Sequence, residues 1–116
     1  MARMSPKELV NFCREAYTAT KLHPRKGSAS IVNNETCPIG AVAHFLHPRI
    51  RIDKNFENKA YIIFQKYFEL TNDELSDIWR GFDYDSSWED SQNDRKYHKA
   101  FQNYRKELEE KLEKDL

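Results

Sequence analysis

The apolar stretch NETCPIGAVAHFL, residues 34–46, holds a cysteine and a histidine, the nearest approach in this chain to a nucleophile and its base. Cys37 directly precedes Pro38, a natural first residue of a helix. Its sulfur would therefore feel the positive end of the helix dipole, which favours thiolate. His44 follows seven residues later on the same segment. On a helix that separation is nearly two turns and about 10 Å of rise, too far for a hydrogen bond to Cys37. No third group stands nearby to orient the imidazole. The stretch reads as a packing segment with Cys37 as a buried cap, and no residue is assigned a catalytic role.

His44 and His47, three apart, have a spacing that some metal sites use, and Cys37 lies close in sequence. Zinc needs several ligands converging on one shell, and the chain carries no CxxC or HExxH to supply them. Neither a metal at these histidines nor any other cofactor is expected. The segment DYDSSWEDSQND, residues 83–94, comes closer to a cation site. Counted from Asp83, oxygen-bearing side chains fall at positions 1, 3, 5, 9 and 12 (Asp83, Asp85, Ser87, Ser91 and Asp94), as in a calcium-binding helix-loop-helix. Position 6, where the turn demands glycine, is Trp88, and position 12 is the shorter aspartate. Calcium binding at 83–94 and thiol-dependent catalysis by Cys37 are the two alternative functions. A solvated linker rich in Asp and Ser meets the same spacing without binding a cation.

The same segment supports a third reading, which we prefer. Trp79, Asp83, Tyr84, Asp85, Trp88, Glu89 and Asp90 combine aromatic rings with carboxylates, a mixture suited to docking a basic protein face. Charge is unevenly spread although it sums to zero: residues 1–52 carry eight Lys/Arg against three Asp/Glu, and residues 69–94 carry nine acids against Arg80 alone. Such asymmetry steers partners and says nothing about fold. It repels phosphate from the acidic side and, with a neutral total, argues against nucleic-acid binding.

The elements that must hold these residues are mostly helical. Ser5-Pro6-Lys7-Glu8 reads as a capping box with proline at the first helical position, and Leu9, Val10, Phe12, Cys13, Ala16 and Tyr17 form an apolar stripe behind it. Pro38 opens a second helix, apolar nearly all round through Leu46 and therefore central, in which Gly40 and Ala43 would let another helix approach closely. Phe56, Ala60, Ile63, Phe64 and Tyr67 make a third, and Thr71 to Glu74 caps a fourth, with Leu75, Ile78, Trp79 and Phe82 inward and Gly81 fraying or ending it. Tyr97, Phe101, Tyr104, Leu108 and Leu112 mark a long C-terminal helix. The turn-rich residues between the first two helices allow a short strand at 29–33, pairing with the alternating RIRID at 49–53. LHPR occurs at 22–25 and again at 46–49, in both places as a helix-stop signal.

Cys37-Pro38-Ile39-Gly40-Ala41-Val42-Ala43, followed some thirty residues later by a helix ending Gly81-Phe82-Asp83, resembles a pattern in small uncharacterised bacterial and phage helical proteins with a Cys-x-x-Gly-Ala helix start. The resemblance covers about residues 36–83. It implies a compact helical domain and no activity; a phage or mobile element is the expected source on the functional reading below.

With 116 residues, two cysteines and no apolar run near 18 residues, the chain is expected to be a single cytoplasmic domain, 1–116, a bundle of about five helices without a membrane span. Residues 105–116 would project as the end of the last helix. Leu108 and Leu112 continue its apolar stripe into this charged end, which predicts that they pack against a second copy as a homodimer. The expected function is protein binding, as a regulator, inhibitor or adaptor.

Overall fold

Ser5 begins the first helix with a reciprocal pair of hydrogen bonds: the Glu8 amide donates to Ser5 Oγ at 3.2 Å, and the Ser5 amide donates to Glu8 Oε1 at 3.0 Å. These bonds hold the Glu8 carboxyl below the usual glutamate range. The computed structural model describes residues 3–25, 27, 29–83 and 96–115, with Asp83 and the last four as backbone only. Helix α1 runs Pro6–Thr20 and stops at Lys21, whose left-handed backbone (φ 62) turns its N–H back to the Tyr17 carbonyl. The other helices are α2 (Pro38–Leu46), α3 (Phe56–Tyr67), α4 (Asn72–Asp83) and α5 (Lys96–Asp115). The expected helical bundle with a long last helix is what the chain forms.

A two-stranded ribbon is also present, but it does not join 29–33 to 49–53. Its strands are β1 (His23–Pro24) and β2 (Glu35–Thr36), paired in parallel. The reason is the turn at Asn33 and Asn34, both in left-handed conformation (φ 54 and 62), the geometry of a type I′ hairpin turn. It folds Val32 onto Glu35 through two backbone hydrogen bonds, 3.1 and 2.9 Å, and so delivers Glu35 and Thr36 to His23 and Pro24. Residues 49–53 instead connect α2 to α3. The Ile50 amide closes a turn on the His47 carbonyl, and Asp53 Oδ1 accepts from the Asn55 amide at 2.9 Å, ahead of α3.

Helix α2 is central, as its composition demands: every residue from Pro38 to Ala43 is buried. It packs against α1, α3 and β2. The close approach at Gly40 is made by the incoming loop and not by a helix. A Cβ there would lie 2.0 Å from Thr36 Oγ1 and 2.4 Å from the Ala29 carbonyl oxygen. Around this contact, Thr36 Oγ1 donates to the Ala29 carbonyl (3.1 Å) and the Tyr17 hydroxyl donates to the Thr36 carbonyl (2.8 Å). Beside it, Phe12 of α1 meets Phe45 of α2 and Phe68 after α3 edge-on, with centroids 5.7 and 5.2 Å apart.

Helices α4 and α5 form the other tightly packed pair. Gly81 does not end α4, which continues to Asp83. A Cβ on Gly81 would stand 2.4 Å from the His98 carbonyl oxygen, so this glycine sets the approach of the two backbones. Thr71 caps α4 as predicted: the Glu74 amide donates to Thr71 Oγ1 at 3.1 Å, and the Thr71 amide returns a bond to Glu74 Oε1 at 2.9 Å. Arg3 grips the same carboxylate with two bonds, 3.1 and 2.5 Å, and also donates to the Glu69 carbonyl. Arg3 is the main reason the Glu74 carboxyl titrates below the usual glutamate range. The stability this carboxylate contributes is present above the ordinary glutamate pKa and is lost as pH falls through its lowered one.

Both glycines make the same prediction against helix propensity. Alanine should raise helix stability by about 1 kcal/mol at an unconstrained position. At Gly40 or Gly81 the added methyl meets backbone oxygen, an overpacking cost of about 3 kcal/mol. Gly40→Ala and Gly81→Ala should each lower the calorimetric Tm by about 8 °C, the equivalent of a net loss of about 2 kcal/mol in a domain of this size. A rise in Tm would show that neither backbone approach is so close.

Candidate functional site

The Cys37–His44 pair is taken apart by the helix that carries both. Cys37 is the N-cap of α2 and 2% exposed, and its side chain makes no cap hydrogen bond. His44 lies in the last turn, at the opposite end, where its Nδ1 is buried with no hydrogen-bond partner among the described residues. Cys13, on the buried face of α1, is fully enclosed, and burial pushes its thiol far up. Both cysteines are free. A thiol nucleophile needs the thiolate and an open approach; this packing denies Cys13 both and closes the approach to Cys37.

His44 and His47 stay near each other at the end of α2. Among the described residues, no three His, Cys, Asp or Glu side chains gather to hold a metal ion. The candidate calcium segment 83–94 lies outside the described residues, apart from the Asp83 backbone that closes α4.

Most of the acidic-aromatic set falls in that same segment: Tyr84, Asp85, Trp88, Glu89 and Asp90 lie outside the described residues. Trp79 can be placed. It is half-buried on α4, packed at the margin of the core, with the Arg80 guanidinium 5.5 Å from its ring centroid. Asp77 belongs to the interior: it is 5% exposed and contributes nothing to an acidic surface. With His98, Gln102 and Arg105, which recur along one face of α5, it makes up much of the buried polar content of the fold. The dimer candidates divide in the same way. Leu108 is half-buried against its own core, and the Leu112 side chain lies outside the described residues.

The sequence reading missed a groove between α1 and α5. Arg14 pairs with Glu107 across it and lies over the Tyr104 ring, 5.1 Å from the centroid. Burial raises the Tyr104 phenol pKa, and Arg14 only partly offsets this. On either side of the Arg14–Glu107 pair the groove opens into depressions of about 630 Å³ and 520 Å³. A signal existed in the sequence: Lys7, Asn11 and Arg14 at i, i+4, i+7 form a polar flank along one edge of the α1 stripe. No helix among the described residues is long and apolar enough to cross a membrane.

Native alkylation tests the packing of the thiols. In folded protein, both cysteines should react with iodoacetamide at least about 100-fold more slowly than a free thiol, because reaction must wait for opening of the structure. Cys37 reacting at the free-thiol rate would contradict its burial. Comparison of the chain with protein-family models, with curated proteins and with solved structures finds no match in any of the three.

Proposed function

We propose that the chain is a small protein-binding domain acting by contact, as a regulator, inhibitor or adaptor, through the acidic and aromatic surface that begins at Trp79 on α4. The observation that carries the reading is where the side chains are spent. The two thiols, Cys13 and Cys37, are shut inside the core. The ring of Trp79 is left half-buried on the helix that leads into the acid-rich residues. A partly exposed tryptophan followed in the chain by a run of acidic residues suits a basic partner, burying apolar area at its centre while charge steers the encounter. Two free, buried cysteines favour a reducing compartment such as the cytoplasm. Self-association through Leu108 and Leu112 belongs to the same proposal, since an apolar stripe carried into a charged helix end suits a second helix.

Affinity capture from the native host tests it with three baits: the natural chain, a triple variant Asp85→Lys/Trp88→Ala/Glu89→Lys, and Cys37→Ser. The triple variant should lose the captured protein by at least about 10-fold, and Cys37→Ser should retain it. Full retention by the triple variant would contradict the reading. Loss through Cys37→Ser, with the fold intact by circular dichroism, would favour thiol chemistry instead.

A further inference from the structure

α1 and α5 run side by side in the same direction. Ser5 to Arg14 share one depression with Lys96 to Glu107, Arg14 to Leu22 share the next with Tyr104 to Lys111, and Arg14 pairs with Glu107 where the two meet. The channel between them follows α1 from Ser5 to Leu22, about 25 Å at helical rise and so about four to five turns of a docked helix. Its base is apolar, built from Val10, Ala100 and the Tyr104 ring, and its walls carry Asn11 and Asn103. Its rim is cationic. Lys7, Arg14, Lys96, Lys99 and Lys111 line the two depressions against one acid, Glu107, which is already engaged by Arg14.

We infer that this groove is a docking site for an acidic amphipathic helix of a protein partner, a second interaction surface opposite in sign to the α4 face and independent of it. The apolar base takes side chains spaced i, i+3, i+4, i+7, and the lysines of the rim meet Asp and Glu on the flanks of the incoming helix. Arg14 is the exchangeable member. Its side chain is 44% exposed and that of Glu107 is 58% exposed. An ion pair so open to water contributes little to stability. Arg14 can therefore turn from Glu107 to a partner carboxylate while it stays over Tyr104. A nucleic-acid strand would satisfy the rim charge but bring no apolar stripe to the base.

The probe is a synthetic 16-residue helix with leucine at i, i+3, i+4, i+7 and glutamate on both flanks, compared with the same helix carrying lysine at the flanks. Fluorescence anisotropy on the full chain should show the glutamate helix binding at least about 10-fold more tightly than the lysine helix. Lys7→Glu/Lys99→Glu, two exposed positions, should reverse that preference without changing Tm. Arg80→Glu, on α4, should leave it unchanged. The inference is overturned if neither helix binds or if the two bind equally. It is also overturned if Arg80→Glu weakens binding as much as the groove variant, or if a DNA duplex binds more tightly than the glutamate helix.

Discussion

The absence of a side chain at Gly40 is the constraint on which the N-terminal half of this structure depends. Only a glycine lets the Ala29 carbonyl and the Thr36 hydroxyl sit against the backbone of α2, and those two groups are themselves hydrogen-bonded to each other. Tyr17 fastens the same loop from α1 by donating to the Thr36 carbonyl. A loop that would otherwise bring unsatisfied backbone polar groups into the interior is thereby paired and buried. The ribbon between β1 and β2 and the left-handed turn at Asn33 and Asn34 follow from where that loop must return. With the loop seated, α2 is enclosed on all sides, which explains a helix with no polar face from Pro38 to Ala43.

The C-terminal half uses the same device once more, at Gly81 against the backbone of α5. The residues just before α1 join the halves: Arg3 clasps Glu74 and the Glu69 carbonyl, and the Tyr97 hydroxyl donates to the Met4 carbonyl at 2.9 Å. α5 is thus committed closely to α4 and touches α1 less extensively. The α1–α5 groove is the consequence, a seam bridged by Arg14 and Glu107 instead of being filled by core side chains.

Helix starts were legible because capping is local chemistry. Ser5 with Glu8, Thr71 with Glu74 and Pro38 each announce a first turn within four residues, and each is where it was expected. The ribbon was misplaced because alternation in RIRID is a weak two-period signal, while the turn that decided the pairing rests on left-handed backbone at two asparagines. Gly81 was read as a terminator because glycine disfavours helices locally, and its true role, admitting the His98 backbone, is visible only across the fold. Asp77 lies in the interior, and no one-dimensional pattern marks an acid that tertiary packing buries. The groove escaped for a related reason: its two walls lie some ninety residues apart in the chain.

The frame around α2 encloses both thiols, Cys13 at 0% and Cys37 at 2% exposure. Native-state hydrogen exchange of the α2 amides measures that enclosure directly. The amides of Ala41, Val42 and Ala43 should exchange only through global unfolding, with protection matching the stability from denaturant unfolding. Exchange of these three amides at free energies well below the global value would show that α2 opens on its own, and the account of a sealed hub would then be wrong.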